Sequence, residues 1–206
     1  IRDRPELLFD QLGERFEVMN LAFKKYSSCS FTHPGLDALL SILEENNISG
    51  DMIEGINVRF PTQGAKLIDG SKLKSHNIQY VLSVAAYNGG VYIDDILFEQ
   101  KDNRIWDLSK RVKMVYDDEL DKVFPEMMPT VIEVKTGEGS YEKRVNYAKG
   151  TPENPMTYEE LTEKYFQLAT VSTDKNTAVK IYNTVMNLEK TKDVNELTSN
   201  LIKKQA

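Results

Sequence analysis

The sequence has 206 residues, 40% of them hydrophobic, and a formal net charge of −6 at pH 7. A nucleic-acid partner would require a dense lysine and arginine face, and a membrane span would require about 18 consecutive apolar residues. The sequence offers neither, because its two charge signs are interleaved and its apolar runs are short. We therefore expect a globular protein that binds no nucleic acid and no membrane.

The chain has one cysteine and two histidines, which limits metal and redox chemistry. A lone cysteine forms no internal disulfide, as is typical of a reducing compartment, so we expect a cytoplasmic protein. Iron–sulfur clusters take several thiolates, and zinc sites take about four Cys, His or carboxylate ligands. The sequence therefore predicts neither a metal nor another cofactor.

The first third of the chain predicts a strand, a helix and a second strand. Residues 16–23 alternate imperfectly between apolar and polar side chains and form the first candidate strand. The helix begins near Thr32 or His33, because Pro34 in a first turn loses no hydrogen bond. Apolar side chains alternate over residues 56–60, which is typical of a half-buried strand.

Further along, the pattern predicts helices, one more strand and a hairpin. A second helix covers about residues 77–87, after a lysine-bearing loop at residues 62–74. Two short helices and a strand follow at residues 93–98, 105–110 and 112–116. Residues 130–136 and 141–147 form a hairpin around a glycine-bearing loop at residues 137–140. This order predicts an α+β fold, with a small mixed or antiparallel sheet and helices on one side.

The composition changes at a proline-rich hinge, residues 149–155. We predict an α+β domain over residues 1–152 and a helical segment over residues 153–206. Thr157 and Glu160 have the spacing of a capping box at the start of the first of three helices. So few helices have little core of their own, and we expect them to pack on another domain.

His33 is the best chemical candidate. A helix start offers N–H groups and the positive end of the helix dipole, which attract anions and disfavour the imidazolium form. A neutral imidazole there can donate a hydrogen bond to a substrate carboxylate or shuttle a proton. The structural alternative is a histidine that only caps the helix.

Other candidates lie near the starts of the two helices. His76 and Tyr80 stand four residues apart and would share a helical face, where Tyr80 could orient a substrate oxygen or donate a proton. The alternative is a core tyrosine beside a loop histidine. Cys29 could be a nucleophile, although a lone cysteine is more often an inert small residue. Three lysines that could hold a carboxylate, or only be solvated, precede the second helix: Lys66, Lys72 and Lys74.

Three segments together resemble the MmgE/PrpD family. Residues 25–38, KYSSCSFTHPGLDA, are similar to the family's K-x-Y-x-x-C-x-x-T-H-P-x-x-D-A segment. Residues 75–85, SHNIQYVLSVA, are similar to its H-S-x-P/Q-Y-x-V-A segment, with Asn77 where serine is usual. Residues 149–157, KGTPENPMT, are similar to its G-x-P-x-N-P-M/L-T/S segment. Their order, with a hairpin before the third, makes the resemblance specific.

The family contains 2-methylcitrate dehydratase, cis-aconitate decarboxylase and iminodisuccinate epimerase, and its members are typically dimers. The resemblance covers only the C-terminal half of a member. It implies that the helical segment packs on a missing N-terminal helical domain, with the active site between that domain and the α+β domain. We accordingly expect a homodimer, and we expect the isolated 206-residue chain to be inactive.

The resemblance also implies the chemistry. It is metal-independent and acts on a small di- or tricarboxylic acid, with dehydration of a 2-methylcitrate-like substrate as the default reaction and decarboxylation or epimerisation as alternatives. His33 and Tyr80 would be catalytic, and three further residues would contact the substrate: Lys74, His76 and Cys29. The rival hypothesis is a non-catalytic α+β binding or assembly module.

Overall fold

The computed structural model describes residue 4 and residues 9–202, and the first part of the chain is built on a four-stranded sheet. The strands are β1 (Ile53–Phe60), β2 (Val112–Tyr116), β3 (Thr130–Thr136) and β4 (Gly139–Val145). Their order is β2-β1-β3-β4. The β1–β2 pair is parallel, whereas β3 is antiparallel to both β1 and β4. The sheet is therefore mixed, and the predicted α+β class is confirmed.

Helices cover one face of this sheet, as predicted. Along β1 the side chains of Ile56, Val58 and Phe60 are buried, whereas Asn57 and Arg59 between them point to the polar face. The helices in this part of the described chain are α1 (His33–Glu45), α2 (Thr62–Ile68), α3 (Ile78–Asn88), α4 (Ile93–Leu97), α5 (Asn103–Ser109) and α6 (Asp118–Asp121). The core lies between them and the apolar face of the sheet.

Two predictions in the first third of the chain are wrong. Residues 16–23 form no strand: Glu17–Asn20 is a short 3-10 helix, and the side chains of Val18 and Met19 are 66% and 75% exposed. An extended apolar pattern becomes a strand only where a neighbouring strand completes its hydrogen bonds. The predicted loop at residues 62–74 begins with α2, because Ala65 and Ile68 are buried one turn apart.

The hairpin is confirmed, but its turn is tighter than predicted. The β3–β4 ladder continues to the Thr136–Gly139 pair, so the loop contains only Gly137 and Glu138. The Thr136 hydroxyl accepts a hydrogen bond from the Glu138 N–H at 3.2 Å and donates one to the Gly139 carbonyl at 3.2 Å. This side chain supports the turn, and strand β4 begins and ends two residues earlier than predicted.

Helix α3 is the central helix of the core. Asn77 caps it by accepting a hydrogen bond from the Tyr80 N–H at 2.9 Å, and Gly89 ends it in the left-handed region at φ +73°. Its buried side chains are Ile78, Tyr80, Val81, Leu82, Ser83, Val84 and Ala85. A helix buried on nearly every side fixes the positions of its first-turn side chains, including Tyr80.

The chain divides into two compact units between Met156 and Thr157, shortly after the predicted boundary at residue 152. The second unit contains α7 (Tyr158–Ser172), α8 (Lys175–Val185) and α9 (Asn195–Leu201), and the predicted capping box of Thr157 and Glu160 is confirmed. Within this unit the aromatic rings of Tyr165, Phe166 and Tyr182 pack against one another. Within the described residues, no helix is long and apolar enough to cross a membrane.

Three hydrogen bonds connect α1, the loop before it and the segment after β4. The Asp37 carboxylate accepts one from the Tyr26 hydroxyl at 2.7 Å and one from the Lys149 N–H at 2.6 Å. The Phe23 N–H donates to the Gly150 carbonyl at 2.8 Å. Gly150 has φ +101°, and an added Cβ would lie 2.0 Å from the Phe23 carbonyl oxygen. Only glycine fits this close approach.

We expect Gly150→Ala to lower the free energy of unfolding by about 2–4 kcal/mol, because the methyl group meets a backbone oxygen and alanine is strained at positive φ. Gly70→Ala is the control, since Gly70 has φ +60° but open space around its Cα. In Gly70→Ala the free energy of unfolding should fall by only about 1 kcal/mol, the cost of alanine at positive φ. Urea unfolding measures both variants, and equal losses would contradict the close approach.

We expect Asp37→Asn to become more stable relative to the wild type as the pH rises. Burial raises the pKa of Asp37, and the hydrogen bonds from Lys149 and Tyr26 lower it by less. A carboxyl with a raised folded pKa contributes stability that is complete below its unfolded pKa of about 3.9 and is lost as the pH rises through the folded pKa. Asparagine does not ionise, so it avoids this loss.

The measurement is urea unfolding of both proteins between about pH 4 and pH 7, the range above the unfolded pKa. Asp102→Asn serves as the control of opposite sign, because hydrogen bonds from Arg104 lower the pKa of Asp102. A lowered folded pKa contributes stability that is present above the unfolded pKa and is lost as the pH falls below it, so this control is followed down to about pH 2, where the difference between Asp102→Asn and the wild type should shrink. A difference between Asp37→Asn and wild type that does not change with pH would refute the raised pKa.

Candidate functional site

The three segments that carry the family resemblance come together around the start of α1. The Cys29 N–H donates a hydrogen bond to the Ser75 carbonyl at 2.8 Å, which joins the first segment to the second. Asp37 joins the first segment to the third through the Lys149 N–H. Segments that are far apart in the sequence therefore form one continuous region, with the first segment at its centre.

His33 is the first residue of α1 and is only 2% exposed. The 3-10 helix Ser30–Thr32 runs directly into α1, and the His33 N–H donates to the Ser30 carbonyl. Pro34 has no N–H to offer. The His33 N–H is therefore already bonded within the chain, and Pro34 supplies none. Any chemical role of His33 has to come from its ring.

The His33 ring contacts two residues that precede the helix. Its Nε2 lies 3.4 Å from the Ser28 carbonyl oxygen, a long hydrogen bond. The Tyr26 ring meets it edge-on, with ring centroids 5.3 Å apart and an angle of 80° between the planes. Edge-to-face contacts of this kind are a preferred geometry of aromatic pairs. The imidazole therefore has a defined orientation inside the core.

Tyr80 lies in the first turn of α3 and is 1% exposed. Its hydroxyl donates a hydrogen bond to the Asp95 carbonyl at 2.6 Å, and the Gln100 side chain also hydrogen-bonds it. Its ring lies 5.1 Å from the ring of Trp106, centroid to centroid. Burial raises the pKa of Tyr80, so the phenol remains protonated at neutral pH. These contacts are those of a well-packed core tyrosine.

Lys74 is brought next to Tyr80. The Lys74 Nζ lies 5.7 Å from the centroid of the Tyr80 ring, in cation–π geometry, and donates a hydrogen bond to the Phe98 carbonyl. An ammonium group has three donors, so this bond leaves further N–H groups for another acceptor. Lys66 and Lys72, the other lysines of the predicted loop, are exposed.

His76 does not share a helical face with Tyr80, because it belongs to the 3-10 helix Lys74–His76 before α3. Asn77 is the N-cap, so the helix begins two residues after His76. The His76 Nδ1 lies 3.0 Å from the Ser75 Oγ, and the His76 side chain is half-buried. Cys29 is also half-buried and packs against the core.

Sequence reasoning gave no role to several residues that hold these candidates. The Tyr26 ring contacts the His33 ring, and Asp37 accepts a hydrogen bond from the Tyr26 hydroxyl. Asp95 and Gln100 hydrogen-bond the Tyr80 hydroxyl. One signal was available, since Asp37 follows His33 by four residues and so lies on the same face of α1.

A surface cavity of about 570 Å³ opens beside Tyr26 and Asp37, between α1 and the end of α3. Its other polar lining includes Lys25, Ser41 and Glu44. The cavity thus gives solvent a route to the Asp37 carboxylate. Among the described residues, no three His, Cys, Asp or Glu side chains are grouped so that they could hold a metal ion.

A family model matches most of the chain. The MmgE/PrpD C-terminal domain matches residues 26–190, a range that includes residues of all three segments and of both compact units. No curated protein sequence matches the chain. Because the match extends over most of the sequence, the chain belongs to the MmgE/PrpD family and contains that family's C-terminal domain.

Proposed function

We propose that this chain is the C-terminal part of a metal-independent lyase or isomerase that acts on a small di- or tricarboxylic acid. The default reaction is dehydration of a 2-methylcitrate-like substrate; decarboxylation and epimerisation are the alternatives within the family. The observation that carries the proposal is the convergence of the three family segments around α1 through the Cys29–Ser75 and Asp37–Lys149 hydrogen bonds.

In the dehydration, a base removes a proton from the carbon next to a carboxylate. The electron pair of that C–H bond forms the new double bond, and the neighbouring C–O bond breaks to release hydroxide, which leaves as water after taking a proton. His33 is proposed to relay one of these protons or to contact a substrate carboxylate. Its defined ring orientation supports either role, because a catalytic group has to be held in a fixed position.

Tyr80 is proposed to hydrogen-bond the substrate. Its own proton is directed to the Asp95 carbonyl and Gln100 also bonds the hydroxyl, so a substrate hydroxyl would bind the phenol oxygen beside Gln100 or in its place. Lys74 is proposed to bind a carboxylate with its remaining N–H donors, and the half-buried His76 to lie beside it. Cys29 is proposed to contact the substrate with its half-buried side chain rather than to act as a nucleophile.

The rest of the active site is proposed to come from an N-terminal helical domain on which the second unit packs. Many apolar side chains of that unit are exposed, which is the composition of a surface that another domain covers. They include Leu168, Val171, Val185, Met186 and Leu201. We also propose that the complete protein is a cytoplasmic homodimer.

One observation favours the rival hypothesis of a non-catalytic binding or assembly module. His33 and Tyr80 are 2% and 1% exposed, so neither side chain offers a substrate much surface in this structure. In that case both residues would serve packing alone, and the family segments would define a fold rather than a site. Activity measurements separate the two hypotheses.

With the helical domain present, we expect turnover of a citrate-like acid, and a loss of about 10²- to 10⁴-fold in kcat for His33→Ala, the usual contribution of a general acid or base. Tyr80→Phe should lower kcat about 10-fold, because the variant loses one hydrogen bond. Dehydration, decarboxylation and epimerisation assays measure these losses, with circular dichroism to verify folding. The 206-residue chain alone should be inactive.

Turnover by the 206-residue chain at rates typical of enzymes would contradict the two-domain site. A folded protein with its helical domain that is inert on the whole panel would contradict the enzyme hypothesis and favour the binding module. Full activity of a folded His33→Ala variant would remove His33 from the mechanism.

We expect Lys74→Met to raise KM by about 10- to 100-fold, since a hydrogen bond to a charged group contributes about 1.5–3 kcal/mol. Methionine keeps the apolar stem and removes the ammonium group. Lys113→Met is the matched control, an exposed lysine on edge strand β2. Steady-state kinetics measure both variants, and an unchanged KM in Lys74→Met would show that another group binds the carboxylate.

A further inference from the structure

We propose that Tyr26 is the positioning residue of His33, and that Asp37 holds Tyr26 in place. Neither Tyr26 nor Asp37 is among the catalytic or substrate-binding candidates. The inference rests on the proposed function only for its effect on catalysis; the contact between the two rings is a property of the fold and can be tested without any substrate.

The geometry places Tyr26 between a fixed anchor and the imidazole. Its ring is 5% exposed and meets the His33 ring edge-on at 5.3 Å between centroids. Its hydroxyl, at the other end of the side chain, donates to the Asp37 Oδ1 at 2.7 Å. A phenol held at its hydroxyl end cannot tilt without breaking that hydrogen bond. The orientation of the ring, and of the imidazole against it, therefore depends on Asp37.

Asp37 is itself held from two sides. It is fixed to α1 by its backbone, one helical turn after His33, and its second carboxylate oxygen accepts the Lys149 N–H at 2.6 Å. Both bonds to Asp37, at 2.7 and 2.6 Å, have ordinary hydrogen-bond lengths. The Ser28 carbonyl, 3.4 Å from the His33 Nε2, is a weaker restraint. The Tyr26–Asp37 pair is thus the firmer of these two supports.

The arrangement also assigns a structural role to the third family segment, residues 149–157. Lys149 contributes its backbone N–H to Asp37, and the adjacent Gly150 binds Phe23, three residues before Tyr26. The segment after β4 therefore supports the residue that orients the imidazole, although it does not need to reach the imidazole itself. A chain that lost this connection would keep His33 but would lose the fixed position of its ring.

The test uses the two histidines of the chain as internal probes. Tyr26→Phe keeps the ring and removes the hydroxyl. In NMR spectra of the 206-residue chain, the imidazole resonances of His33 should move or broaden in this variant, while those of His76 stay in place. A His76→Asn variant assigns the two sets. Tyr116→Phe is the matched control, because it removes an equal 2.7 Å hydrogen bond, from Tyr116 to Asp69, that involves neither Tyr26 nor Asp37.

Asp37→Asn adds a conservative rescue. Its amide can still accept the Lys149 N–H through oxygen and can donate to the Tyr26 oxygen through nitrogen, so the ring should stay held. The His33 resonances should therefore remain near their wild-type positions in Asp37→Asn and should move in Asp37→Ala. His33 resonances that are unchanged in both Tyr26→Phe and Asp37→Ala would overturn the proposal.

The catalytic consequence is measured on the protein with its helical domain. Tyr26→Phe should lower kcat by up to about 100-fold, the cost of a misplaced catalytic group, with a smaller change in KM. A wild-type enzyme that is active and a Tyr26→Phe variant with the same kcat would overturn the positioning role. If the wild type is inert on every substrate, the proposed function fails, while the NMR result still decides whether Tyr26 positions His33.

Discussion

The position of the candidate site depends on one carboxylate. Asp37 accepts two hydrogen bonds, from the Tyr26 hydroxyl and the Lys149 N–H, and so joins the start of α1 to the segment that leaves the sheet. Burial disfavours the ionised form of Asp37 and raises its pKa, so a charged carboxylate at this position costs folding free energy. A single acceptor shared by two donors is nevertheless a strong geometric constraint, because it holds both donors beside one point of α1.

This constraint helps to explain how buried side chains could take part in chemistry. His33 and Tyr80 are both in the core, where a misplaced polar group costs more than it does in water. Each is therefore held by neighbours: His33 by Tyr26 and Ser28, and Tyr80 by Asp95 and Gln100. The same contacts would serve a purely structural role equally well. Burial alone thus does not distinguish a pre-organised site from a packed core, and only turnover separates them.

Local signals in the sequence predicted the elements that local physics controls. Pro34 marked the start of α1, and the alternation at residues 130–136 marked β3. The strand predicted at residues 16–23 does not form, because this segment has no neighbouring strand to pair with. The tie between Asp37 and Lys149 spans 112 positions, and no periodicity records a contact of that kind. The family resemblance indicated which segments matter, but the bonds that connect them could be found only from the fold.

The helices of the second unit are well specified locally but bury few side chains. Its α7 has a complete capping box and its α8 is capped by Asp174, so both helix starts are well specified. Caps contribute about 1 kcal/mol each, whereas most helical stability comes from packing an apolar face. In the described part of this unit only Ala178 is fully buried within a helix. The unit therefore has well-formed helices with few fully buried side chains, and the proposed helical domain would supply the surface that covers its exposed apolar side chains.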